Sequence, residues 1–287
     1  MNLKAYLKQR QTLVNRALQG ALPAPGSVPG RIHEAMRYSV LGKGKRIRPI
    51  LALAACEAVG GKLSEALQAA CALELVHAYS LVHDDLPAMD DDDLRRGKPS
   101  CHKKFGEALG ILTGDALLTY AFELLTRANS ARADGSVSSN GNGRGSAVRL
   151  NVIREVAKAI GTQGMIGGQV ADVAIPRNRP DSRSMEFINT RKTGALISGA
   201  VRVGALLGRA KPQDYRMLQR YGDRIGLVFQ LVDDLLDKDG AVRLSGRDPV
   251  RRRAERLTAQ AIDALKPLGG QAEPLRELAR FILTRSS

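Results

Sequence analysis

Two acidic clusters, Asp84-Asp85-Leu86-Pro87-Ala88-Met89-Asp90 and Asp233-Asp234-Leu235-Leu236-Asp237, each follow a long apolar run. No other feature limits the fold as strongly. Runs such as Ala66 to Val82 and Ile197 to Leu207 lack the alternation of half-buried strands and read as helices. Paired carboxylates at the ends of buried helices are costly unless something cationic binds them. Mg²⁺ is the natural candidate, because it takes oxygen ligands and usually shares them with substrate phosphates. Two facing clusters predict one diphosphate held by several metal ions across a cavity.

Spacing supports this. Asp233 and Asp237 are four apart and share a helix face. Asp84 and Asp90 are six apart, which on an ideal helix turns Asp90 away. Pro87 lies between them and interrupts helix hydrogen bonding, so a local bulge is expected to return Asp90 toward the metal.

The remaining composition narrows the class. The chain has 287 residues, 44% hydrophobic and only 4% aromatic, with no Trp. Abundant Leu and Ala suit helices. No apolar stretch reads as a transmembrane helix. Cys56, Cys71 and Cys101 are an odd number without metal-ligand spacing; Cys56 and Cys71, in apolar surroundings, read as buried thiols, which fits a reducing cytoplasm. An amphipathic first helix over Leu3 to Leu18 is preferred to a basic transit segment. A net charge of +15 invites a nucleic-acid reading, but the basic residues are dispersed and no nucleic-acid motif is present. The Arg-rich stretch Arg247 to Arg256 reads as a solvated face.

Along the chain, helices are expected near 31–40, before Val59, and over 63–85, 107–127, 148–160, 162–174, 184–207, 212–238 and 249–265. Residues 129–146, rich in Gly, Ser and Asn, read as a flexible loop between helices. Arg95-Arg96-Gly97 follows the first acidic cluster, and Lys45, Arg46 and Arg48 offer a second cationic patch. Guanidiniums there either neutralise carboxylates or grip diphosphate oxygens through forked hydrogen bonds.

The segments GKGKRIRP (42–49), ELVHAYSLVHDDLPAMDDDDLRRGKPSCHKKFGEA (74–108), GDAL (114–117), GMIGGQVADV (164–173), RKTGAL (191–196) and GLVFQLVDDLLD (226–237) occur in that order. On these segments the chain resembles the short-chain trans-polyprenyl diphosphate synthases, most of all the bacterial farnesyl diphosphate synthases. The resemblance implies an all-α fold, a single-domain helical bundle over residues 1–287 around a deep central cavity, and a homodimer. It implies Asp84, Asp85 and Asp90 as Mg²⁺ ligands on one wall and Asp233 and Asp237 on the other, with roughly three ions completed by phosphate oxygens. Arg95 and Lys192 resemble contacts to the allylic diphosphate. Lys45, Arg48, His77 and Arg96 resemble the isopentenyl diphosphate site. Thr193 and Gln230 match polar positions near the reacting carbons, and Gln169 a further site-facing amide.

The implied reaction is ionisation of the allylic diphosphate, attack by the alkene of isopentenyl diphosphate, and loss of a proton. Tyr79, five residues before Asp84, lies about 7.5 Å down the helix and is expected to close the cavity under a C15 product. Geranylgeranyl diphosphate, C20, is the alternative. A terpene cyclase is disfavoured, because it needs no second diphosphate site to match GKGKRIRP and His77. The segment after Asp237 is shorter than the resemblance implies and lacks a Lys-Ser/Thr-Tyr motif. Lys238, Arg243 or Arg247 are the candidate substitutes for the missing lysine. A weakly active partner subunit is therefore a further alternative.

Overall fold

A computed structural model describes residues 1–127, 143–174, 182–238 and 240–285. The elements in order are α1 (Leu3–Ala21), α2 (Gly30–Val40), α3 (Ile47–Ala58), α4 (Leu63–Asp84), a two-residue-per-strand hairpin β1 (Leu94–Arg95) and β2 (Lys98–Pro99), α5 (Cys101–Phe105) and α6 (Glu107–Arg127). After residue 142 come α7 (Gly143–Ile160), α8 (Met165–Ala174), α9 (Ser182–Ile188), a π-helical turn (Asn189–Gly194), α10 (Ala195–Leu207), α11 (Pro212–Asp237), α12 (Ala241–Ser245), α13 (Arg247–Ala264), a 3₁₀ segment (Lys266–Ala272) and α14 (Glu273–Thr284). The all-α expectation holds.

The chain forms two compact units. One contains residues 7–50 and 67–127; the other contains 1–6, 51–66 and the described residues from 143 onward. In the first, Val14 and Leu18 of α1 and Leu73, Leu75 and Val76 of α4 are buried. The length of α4 that lies there is buried on nearly all sides, as expected of a helix without a polar face. α6 packs against α2 and α5. In the second unit α10 is almost wholly buried, and α11 packs against α10, α13 and α14.

Several expectations need correction. α1 continues to Ala21, three residues beyond Leu18. The helix expected over 184–207 is divided into α9, the π-turn and α10. α14 carried no sequence signal strong enough to be placed, although its buried Leu275, Leu278, Ala279 and Ile282 show helical spacing. Of the loop expected over 129–146, residues 129–142 lie outside the described residues, and 143–146 already belong to α7. Among the described residues α6 is long and apolar enough to cross a membrane by length and composition. In this fold its Gly110, Leu117, Ala121 and Leu125 are buried.

Candidate active site

The first acidic cluster lies in the unit formed by 7–50 and 67–127. α4 ends at Asp84, and the chain then folds back on itself: Met89 N–H donates to Leu86 C=O (2.8 Å) and Asp90 N–H to Asp84 C=O (2.8 Å). Asp90 therefore returns beside Asp84, but through a turn after the helix end and not through a bulge within a continuing helix. Asp85 is only 2% exposed, whereas Asp90 is exposed. Arg95 Nε donates to Asp85 Oδ1 (2.8 Å), its Nη2 joins the same oxygen, and Nη2 also donates to Asp92 Oδ2 (2.7 Å). Burial pushes the Asp85 carboxyl up, against the pull of Arg95.

The hairpin explains why Arg95 reaches Asp85. Leu94 pairs with Pro99 and Arg95 with Lys98, leaving a two-residue loop, Arg96-Gly97. Both loop residues have positive φ, 54° and 77°. Such a primed turn matches strand twist and needs glycine or a tolerant residue. Gly97 thus serves the backbone, and the turn sets Arg95 and Arg96 side by side.

Arg46 is not a surface cation. It is 3% exposed, pairs with Glu74, and donates to Asn15 Oδ1 (2.9 Å), Val40 C=O (2.7 Å) and Gly42 C=O (3.0 Å). It anchors the loop that presents Lys45, which is exposed, and Arg48, which is half-buried. His77 is half-buried by accessible surface yet closely surrounded by protein. That burial, with Arg48, Arg96, Arg46 and Arg95 nearby, holds its ring well below the ordinary histidine value, so it is neutral at pH 7. A cavity beside these groups is lined by Lys43, Asp85, Arg95, Arg96 and Lys98 among others.

Tyr79 is 6% exposed, and its hydroxyl is buried without a hydrogen-bond partner. Its ring meets that of His83 edge to face at 5.9 Å. Burial, then Asp84, pushes the phenol up to about 12.

The second cluster ends α11 in the other unit. Asp234, 5% exposed, accepts hydrogen bonds from Gln230 Nε2 (3.0 Å), Asn189 Nδ2 (3.2 Å) and Ala241 N–H (3.0 Å). Asp233 accepts from Arg285 Nη2 (2.6 Å), which also donates to Phe229 C=O (2.9 Å). The Arg285 guanidinium lies over the Phe229 ring at 3.7 Å. Asp237 is exposed, and Lys238 closes the helix in the left-handed conformation.

Lys192 and Thr193 sit in the π-turn, a distortion that is frequent at functional sites. Two glycines make room for it. A Cβ at Gly168 would lie 2.2 Å from the Lys192 backbone nitrogen, and one at Gly226 2.7 Å from Gly194 C=O. Lys192 Nζ pairs with Asp172 Oδ2 at 2.7 Å. The amide nitrogen and oxygen of Gln169 are both buried without partners, as expected of a group that completes its hydrogen bonds with a ligand or water.

The segment after α11 is compact. α12 follows Gly240, and Ala241 and Val242 pack on Leu231, Val250 and Ala254. Lys238, Arg243 and Arg247 are all exposed.

Three functional-looking residues escaped the sequence reading. Asp172 lies three residues from Gln169 on one helix, a spacing that was legible. Asn189 and Arg285 carried no local signal.

The donor chemistry fits Mg²⁺. Both clusters supply oxygens at helix C-termini, where the helix dipole favours cations. Arg95 and Arg285 stand on Asp85 and Asp233 as cations in such places would. Among the described residues, the acidic and histidine side chains that converge as a metal site are Asp91, Asp93 and His102, not Asp84, Asp85 and Asp90. Convergence of three protein oxygens is not required where phosphate oxygens complete the shell.

Comparison with known proteins decides the family: the polyprenyl synthetase model matches residues 29–266. The chain belongs to the polyprenyl synthetase family. It is 42% identical over 283 residues to a heterodimeric geranylgeranyl pyrophosphate synthase large subunit, chloroplastic, of Arabidopsis thaliana, covering 96% of this chain and 72% of that one. It is 39% identical over 308 positions to a geranylgeranyl diphosphate synthase of Cyanophora paradoxa, covering 100% of this chain and 97% of that one. That alignment exceeds the 287 residues of this chain, so the relative carries insertions. The structure of an FPP/GFPP synthase from Zymomonas mobilis superposes with a TM-score of 0.88 at 38% identity, covering 99% of both chains. The protein is a trans-prenyltransferase with the all-α fold of these synthases.

Proposed function

We propose that this family member condenses isopentenyl diphosphate with dimethylallyl or geranyl diphosphate in a Mg²⁺-dependent reaction whose main product is farnesyl diphosphate. The chain-length reading rests on Tyr79, a buried aromatic with an unpartnered hydroxyl on α4, about 7.5 Å below Asp84 along the helix. C20 is the second reading, favoured by the geranylgeranyl synthases among the curated relatives.

Asp84, Asp85, Asp90, Asp233 and Asp237 would hold roughly three Mg²⁺ ions together with phosphate oxygens. When bound, the metal supplies charge neutralisation that makes the diphosphate a better leaving group. Arg95 and Lys192 would grip the allylic diphosphate, while Lys45, Arg48 and Arg96 orient isopentenyl diphosphate beside neutral His77. Thr193, Gln230 and Gln169 would present oxygen dipoles to the positive charge that develops on carbon. The protein thus contributes orientation and water exclusion more than nucleophiles. The released diphosphate is the base that takes the final proton.

The buried thiols Cys56, Cys71 and Cys101 support a reducing, cytoplasmic setting. A homodimer without nucleic acid or membrane partners is the proposed assembly, and 1–287 the proposed single catalytic domain. The short segment 238–246 supports a more open, slower enzyme than longer relatives.

The test is incubation of purified protein with Mg²⁺, labelled isopentenyl diphosphate and primers of several lengths. Wild type should give mainly C15, and Tyr79→Ala longer chains. An unchanged product spectrum in Tyr79→Ala would move the floor to another residue. No turnover with any primer would overturn the reading in favour of the partner subunit.

A further inference from the structure

Outside the residues assigned above, Asp91, Asp93 and His102 bring one ligand atom each to within 4.8 Å of one another. The histidine is what sets this group apart from an ordinary acidic patch. His102 is 4% exposed, and its Nε2 is buried with no hydrogen-bond partner. Its Nδ1 lies 3.1 Å from the hydroxyl of Ser100, itself 1% exposed. When Nδ1–H donates to Ser100, Nε2 carries the free lone pair. Metal-bound histidines are characteristically oriented by such a hydrogen bond from the other ring nitrogen. A buried, unpartnered acceptor is otherwise destabilising.

The two carboxylates come from the turn that follows Asp90, and both are exposed. A 4.8 Å spread is wider than four-coordinate Zn²⁺ needs, with bonds of about 2.0–2.2 Å. Exposed side chains can close that gap by rotation. Lys103 Nζ holds Asp93 Oδ1 at 2.8 Å and is the cation a metal must compete with. The backbone is already tied locally, since Ser100 N–H donates to Asp93 C=O (2.9 Å).

We infer that Asp91, Asp93 and His102 form a divalent-cation site separate from the diphosphate-binding clusters. Its imidazole ligand favours Zn²⁺ over Mg²⁺. The site clips the turn at 91–93 to α5 and steadies the hairpin that presents Arg95 and Arg96.

Equilibrium dialysis of the full chain against Zn²⁺ in large excess of Mg²⁺ tests this, with Co²⁺ absorption as a second readout. The expected result is one equivalent of Zn²⁺ in wild type, retained in an Asp84→Ala, Asp233→Ala double variant. Asp91→Asn and His102→Gln should each weaken it at least about tenfold. Co²⁺ should show the intense visible band of a four- or five-coordinate site. Asp91 is exposed, so Asp91→Asn keeps the test open if His102→Gln does not fold. Zn²⁺ that excess Mg²⁺ displaces, that disappears in the double variant, or that binds Asp91→Asn as tightly as wild type would overturn the proposal.

Discussion

The two acidic clusters look alike in sequence, and in each the second aspartate is the buried one, yet the hydrogen bonds on these aspartates come from different kinds of donor. Asp85 is held by one charged partner, Arg95, from a hairpin ten residues away. Asp234 is held by three neutral donors, Gln230, Asn189 and the Ala241 backbone, and so fastens α11 to the π-turn and to α12. A single side-chain guanidinium can be exchanged for another cation without moving the chain around it. Three converging neutral hydrogen bonds cannot be exchanged without releasing the chain around them. Asp233 of the second cluster is paired with a cation, Arg285. The contrast separates a carboxylate held by one charged side chain from one that fastens several chain segments, within one motif type.

The sharpest way to break the comparison is to remove a carboxylate from each side. Asp84→Ala should lower kcat on the order of 10³-fold, about 4 kcal/mol of barrier, with circular dichroism and melting temperature nearly unchanged. Activity within a few-fold of wild type would remove the metal role from the first cluster. Asp234→Ala should act on stability instead, costing about 2–3 kcal/mol in urea unfolding because three donors lose their acceptor. A stable but inactive Asp234→Ala protein would make Asp234 a ligand after all.

Arg285→Gln tests the stand-in cation. Freed from its partner, Asp233 should bind Mg²⁺ more readily, lowering the half-activating Mg²⁺ concentration about fivefold, or ~1 kcal/mol. A rise would mean that Arg285 orients Asp233 for the metal.

The smallest effect concerns His77. Its folded value lies below the unfolded one, about 6.5. The unfolded state therefore binds the proton first. The stability that neutral His77 contributes is present above about pH 6.5 and is lost as pH falls below it. Between pH 6.5 and 5, wild-type unfolding free energy should fall up to about 1.4 kcal/mol per pH unit more steeply than that of His77→Gln. Parallel pH curves would place the His77 ring in a more solvated setting than its burial implies.

Much of this was legible because it is local. Apolar runs of helical length mark α4 and α11, and a carboxylate cluster at the end of each signals cation chemistry before any partner is known. Pro87 warned that α4 could not pass regularly through Asp90, and the chain does break there, though by ending the helix. The π-turn at Lys192-Thr193 was not legible, because it depends on the close approach of Gly168 and Gly226 from other helices.

By itself the sequence determined the helical class, the family, and the residue types available for diphosphate and metal. These follow from short-range periodicity and from motifs whose members lie within a few turns of one another. Only the tertiary structure decided which charges are already spent. Arg46 is taken by Glu74, 28 residues away, and Asp233 by Arg285, 52 residues away. Asp234 is taken by Asn189, 45 residues away, whereas the Nε2 of His102 is left without a partner. A side chain's availability depends on which distant donors and acceptors folding brings within 3 Å or so, and spacing along the chain does not encode that distance.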